Sequence, residues 1–136
     1  MDPRWRPLAA FAVDLVLVAV FVGIGRASHG EDQSAWVATF WPFAIGLAAG
    51  WAAARGWRRP FAIARTGLPA WAGAVVVGML LRAATGQGVQ LAFVIVASIV
   101  LGAFVLGWRL LLVALDRSAD RDANTPGPVG FFLRRR

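Results

Sequence analysis

Long apolar runs separated by short polar breaks make up nearly the whole chain. The runs cover residues 8–25, 36–54, 68–84 and 89–115. Each is about as long as the ~17–25 residues that carry an α-helix across a hydrocarbon core. Most lack the polar face that a water-exposed helix needs: residues 12–22 are apolar on every side except for Asp14. Helices of this kind are solvated by lipid or by one another. The pattern predicts an all-α fold, an integral membrane four-transmembrane-helix bundle over residues 1–115, followed by a basic tail over 116–136.

Composition agrees. Of 136 residues, 59% are hydrophobic and 15% charged, too little charge for a soluble domain of this size. The net charge of +7 raises the question of nucleic acid, but the basic residues fall where membrane topology places them, so no nucleic-acid partner is expected. Arg4 and Arg6 precede the first run, Arg55, Arg58, Arg59 and Arg65 separate the second from the third, and Arg117, Arg121, Arg134, Arg135 and Arg136 follow the fourth. The opposite side has Arg26 and Arg82, offset by Glu31 and Asp32. Both termini are therefore expected in the cytoplasm, with the lipid bilayer as the first partner. A cleaved leader ending near Gly25-Arg26-Ala27 is the weaker reading, because the first run is long for one and contains Asp14.

The break at 85–88 is short enough to make the third and fourth spans an antiparallel hairpin. The longer break at 55–67, with Pro60, Phe61 and Ile63, is expected to lie along the headgroups. Trp5, Trp36, Trp51, Trp57, Trp71 and Trp108 fall near span ends, as interfacial aromatics do. Small residues four apart suggest contact faces within the chain or between copies: Gly46 and Gly50; Ala70, Ala74 and Gly78; Ser98 and Gly102; Ala103 and Gly107; Ala19 and Gly23. Pro42 removes a backbone donor inside the second span, either kinking it at depth or bending only its first turns, and Thr39 is placed to compensate. In the tail, Phe131, Phe132 and Leu133 before three arginines read either as an interfacial anchor or as a disordered end.

Candidate chemistry rests on the few ionisable residues inside the spans, each costly if it faces lipid. Asp14 is six residues past Leu8 and Arg109 six before Leu115, each roughly 9 Å from the same side at ~1.5 Å per residue. Two opposite charges at one level predict an Asp14–Arg109 ion pair between the first and last spans. It reads either as a static clamp or as a switch that opens when Asp14 takes a proton or cation. On the other side, Arg26, His29 and Arg82 suggest an anion or proton site, unless Glu31 and Asp32 neutralise it. No phosphate loop, metal-ligand spacing or nucleophile–base set is present, and there is no cysteine. No enzyme active site, metal or cofactor is expected.

Several strings carry a family resemblance: Gly25-Arg26-Ala27-Ser28-His29, Thr39-Phe40-Trp41-Pro42-Phe43, Gly78-Met79-Leu80-Leu81-Arg82 and Gly107-Trp108-Arg109, together with Asp14. Over roughly residues 8–115 the chain resembles an uncharacterised family of small bacterial membrane proteins, domain of unknown function three-zero-five-four. The resemblance implies four spans in a bacterial cytoplasmic membrane. It also implies that Asp14, Arg26, His29, Arg82 and Arg109 belong to the family pattern, and it carries no activity. An acidic residue in the first of four short spans is also similar to small multidrug transporters, at the level of architecture alone. Two functions follow as expectations. One is a small transporter or channel for a polar or anionic solute, gated by the ion pair and working as a homodimer. The other is a non-catalytic subunit that binds another membrane protein.

Overall fold

The computed structural model describes residues 2–124. Four helices follow one another: α1 (Arg6–Ser28), α2 (Trp36–Ala54), α3 (Leu68–Ala84) and α4 (Leu91–Asn124). The described residues contain no strand. α1, α2 and α4, and α3 taken together with the residues from Ile63 that lead into it, are long and apolar enough to cross a membrane. The anchor-like end of the tail, Phe131 to Arg136, lies outside the described residues.

The helices form a ring in which α1 and α3 each pack against α2 and α4. Neighbours run antiparallel. Arg26, near the end of α1, donates to the Thr39 hydroxyl near the start of α2, whereas Asp14, near the start of α1, meets Trp51 near the end of α2. The two tight hairpins, α1–α2 and α3–α4, thus share one end of the bundle, the hairpin end. The chain start, the α2–α3 connection and the last turns of α4 share the other, the terminal end. The α3–α4 turn is closed by Gly86 and Gly88 at φ 70° and 79°, a left-handed conformation open to glycine at little steric cost.

Every helix buries a row of residues four apart. The rows are Ala10, Asp14, Val18 and Val22 in α1; Phe43, Leu47 and Trp51 in α2; Ala70, Ala74 and Gly78 in α3; and Ala97, Leu101, Val105 and Arg109 in α4. Such rows are the ridges that interdigitate when helices pack. Outside them the surface is apolar: Val16, Ile24, Leu80, Ile99 and Leu111 are each more than half exposed, as lipid-facing residues should be.

The α2–α3 pair is the tightest. A Cβ on Gly46 would stand 2.9 Å from the Gly78 nitrogen, and one on Gly50 would stand 2.9 Å from the Ala70 Cα. Gly73, between the expected small positions of α3, meets the backbone of Gly50 at 2.8 Å in the same sense. The small faces of α2 and α3 are therefore used inside the chain. In α4, Gly102 faces Trp71, whose indole N–H donates to the Ser98 carbonyl at 2.8 Å. Gly107 has open space around it.

α4 is helical to Asn124, its charged turns continuing the helix beyond the apolar run that ends at 115. Two sequence expectations need correction in detail. The 55–67 connection turns inward, with Pro60, Thr66 and Gly67 buried. It forms a short 3₁₀ turn (Gly56–Arg58) and a π-helical turn (Ile63–Gly67) that leads directly into α3. Pro42 is the seventh residue of α2 and fully buried, so it lies past the first turn and cannot donate to the Ala38 carbonyl. Thr39 does not serve Pro42; its hydroxyl accepts from Arg26 and donates to the Ala35 carbonyl.

Candidate functional site

Two polar loci lie at opposite ends of the bundle. The first is built around Asp14. Its place in the four-residue row of α1 turns its carboxylate into the bundle, and the matching row of α4 brings Arg109 to meet it. Both side chains are fully buried. The guanidinium and carboxylate face each other in a fork, Nη1 to Oδ1 and Nη2 to Oδ2, both at 2.7 Å. Such bidentate pairs are among the stronger charge-assisted hydrogen bonds.

Two indoles complete the carboxylate shell. Trp51 Nε1 donates to Oδ2 and Trp108 Nε1 to Oδ1, each at 2.8 Å. Asp14 therefore accepts four hydrogen bonds, the full capacity of its two oxygens. Arg109 is satisfied as well. Its Nη1 also donates to the Val105 carbonyl at 2.7 Å, and its Nε to the Pro60 carbonyl at 3.2 Å. Its guanidinium carbon sits 4.6 Å from the Trp108 ring centre, a cation–π contact. The inward turn of the α2–α3 connection thus has a cause: it delivers the Pro60 carbonyl to Arg109 and packs Phe61 edge-on against Trp108, ring centres 6.0 Å apart. Gly67 in the π-helical turn admits the Arg109 side chain, since a Cβ there would lie 3.2 Å from its Cδ.

The roles of Trp51 and Trp108 were missed by sequence reasoning, which read both as interfacial belt residues. Trp51 was within reach of a sharper reading, because it continues the four-residue row of α2. Trp108 gave no such signal. It is the neighbour of Arg109, and adjacent helical residues point about 100° apart, yet both side chains are long enough to converge on one carboxylate.

The second locus is a cavity of about 630 Å³ at the hairpin end, lined by all four helices and both hairpin turns. Arg26, His29 and Arg82 all line it, so the structure brings together the three residues singled out on that side. Arg26 is occupied. Its Nη1 pairs with Glu31 at 2.9 Å and donates to Thr39 at 2.9 Å, and its Nε donates to the Asp32 carbonyl at 3.0 Å. Asp32 turns its carboxylate to Ser34, whose hydroxyl and backbone N–H, helped by the nearby Arg26 charge, hold it below the ordinary value of 3.8.

Arg82 forms no salt bridge among the described residues. Its Nη1 donates to Gln87 Oε1 at 3.1 Å, while Nη2 reaches the Gln87 and Gly88 carbonyls only at 3.5 Å. Its Nε is buried without a partner. The guanidinium lies over Phe93, 4.8 Å from the ring centre, with Phe43 at 6.0 Å. Phe21 packs edge-on against Phe43 at 5.5 Å and completes an aromatic floor. No group of three or more metal-ligating side chains occurs among the described residues.

A family model described as a protein of unknown function, DUF3054, matches residues 11–112, which span both loci. Nothing among curated proteins or solved structures matches the chain.

Proposed function

We propose, for a chain that belongs to the DUF3054 family, the work of a small membrane transport protein whose hairpin-end cavity receives a polar or anionic solute. The observation that supports this most is the polarity of the bundle along its axis. One end holds an open cavity with Arg26, His29 and Arg82 in its lining, and the other is closed by a buried ion pair with a filled hydrogen-bond shell. A site open to one side and sealed from the other is one half of an alternating-access cycle.

In this reading the Asp14–Arg109 pair is the closed gate. Four donors on one carboxylate make it a firm gate, so the pair holds the bundle in register until solute binding and a rearrangement of α1 against α4 release it. This reading takes the terminal end and both chain ends to be cytoplasmic, on the support of the positive-inside pattern, and hence the cavity mouth to open on the outer face of a bacterial cytoplasmic membrane. Four short helices enclose little room, so two copies are the working unit. No catalytic step and no cofactor enter the reading.

Flux into proteoliposomes tests it. The wild-type protein is expected to move a small anion under an imposed ion or proton gradient, and Arg82→Gln to lose most of that flux while keeping the wild-type melting temperature. Wild-type flux at the rate of empty liposomes, across a panel of anions and both gradients, would overturn it. The second reading, a non-catalytic subunit, draws on the Ala103–Gly107 face of α4, where Ala103 is exposed and Gly107 is unopposed. Crosslinking after mild-detergent extraction separates the two, since a homogeneous self-oligomer argues against an obligatory partner.

A further inference from the structure

We infer that the ligand of the hairpin-end cavity is an amphipathic monoanion: one carboxylate, or an acid of the same charge, on a compact hydrocarbon body. The inference rests on reading that cavity as a binding site and names the class of what it binds. Three observations carry it. The first is the charge count of the lining. Arg26 and Arg82 are positive and Glu31 is negative, and Glu31 is committed to Arg26. One positive charge is left over, on Arg82, with a buried Nε that has no partner and an Nη2 whose carbonyl contacts are at the 3.5 Å limit. A guanidinium in that condition accepts a planar carboxylate in a fork.

The second is what surrounds that charge. Arg82 lies over Phe93, and the cavity lining also includes the apolar side chains of Phe21, Val22, Ala38 and Val96. Val96 is five residues into α4, roughly 7.5 Å below the hairpin end. A strongly hydrated anion would lose its water against these walls with little in return, whereas a hydrocarbon body covers them while its charge meets Arg82. The third is room. Gly25 lines the cavity, and a Cβ there would meet nothing within 4 Å. At about 630 Å³ the space suits a small organic ligand.

A chain-length series tests this on the full protein in nanodiscs of zwitterionic lipid. Calorimetric titration with acetate, butyrate and hexanoate is run on wild type, Arg82→Gln and Gly25→Leu, with hexanol as the uncharged control. Wild-type affinity is expected to climb about fourfold per methylene, the equivalent of about 0.8 kcal/mol. Hexanoate affinity should fall at least tenfold in each variant, and hexanol should bind wild type at least tenfold more weakly than hexanoate. Gly25→Leu places its Cβ where no atom lies within 4 Å, so it reports on the cavity independently of Arg82→Gln.

Equal affinity for acetate and hexanoate, lost in Arg82→Gln, would leave an anion site standing and overturn the amphipathic class. Hexanoate uptake unchanged in both folded variants would mean partition into the bilayer and would also overturn it. No saturable binding of any anion to folded wild type would overturn the cavity reading itself. Competition of hexanoate by phosphatidylglycerol in the discs would support the class and identify bilayer lipid as a source. Absence of that competition alongside saturable hexanoate binding supports the class with a water-borne source.

Discussion

At Asp14, direction matters as much as charge. The carboxylate faces three donor groups from three residues, Arg109, Trp51 and Trp108, and Arg109 in turn faces the Pro60 and Val105 carbonyls. Asp14→Asn is therefore expected to cost about 3–5 kcal/mol, because it strands a buried guanidinium. A melting curve in detergent checks this. Exchanging the two residues, Asp14→Arg with Arg109→Asp, keeps the opposite charges but points the guanidinium at two indole N–H groups and the new carboxylate at two carbonyls. The double exchange is thus expected to melt no higher than the Asp14→Asn protein. Recovery to the wild-type melting temperature would show that charge alone holds the pair, and that the donor shell contributes nothing.

Helix against helix, backbone contact between α2 and α3 sets the tolerance of the bundle to substitution. Gly46→Ala and Gly50→Ala each drive a Cβ into the backbone of α3, so each is expected to cost about 1–3 kcal/mol or more. Gly25→Ala, in open space on α1, is expected to be neutral or to gain up to about 1 kcal/mol of helix propensity. Thermal unfolding of the three variants side by side separates packing from propensity. The four spans were readable in the sequence because lipid demands unbroken apolar length, and the level of Asp14 with Arg109 was readable by counting rise. The inward turn at Pro60 was not readable. A proline, a phenylalanine and an isoleucine between two spans suit an interfacial segment as well as a cap, and what decides is a carbonyl acceptor for Arg109, which leaves no mark on side-chain pattern. The shared cavity of Arg26, His29 and Arg82 was half readable. Their common side followed from the spans, but the pairing of Arg26 with Glu31 and the bedding of Arg82 on Phe93 depend on how the hairpin turns fold back.

Across the whole molecule, charge is sorted by end. Arg4, Arg6, Arg55, Arg58, Arg59, Arg65 and Arg117 gather at the terminal end, and Arg26 and Arg82 at the hairpin end. The expected orientation therefore has a direct test, made clean by the absence of native cysteine. In intact cells Ser34→Cys, in the first hairpin turn, should react with a membrane-impermeant maleimide, while Ser118→Cys, in the last turns of α4, should react only after lysis. The reverse labelling would invert the topology and put the cavity mouth in the cytoplasm.

The span of chain between Asp14 and Arg109 has a consequence for biogenesis. The two partners are separated by 95 positions, and both helix α1 and its acidic group leave the ribosome long before their counterpart exists. At about 5–20 residues per second the wait is roughly 5–20 s. Through that interval the first helix carries an acid without its cationic partner, a costly burden in hydrocarbon, so α1 is expected to wait somewhere wetter than lipid: the insertion machinery, or the bilayer edge. Release into the membrane interior is then expected to follow completion of the last helix. A nascent chain halted before Arg109 would keep a carboxylate without its guanidinium, a mark that quality control could read.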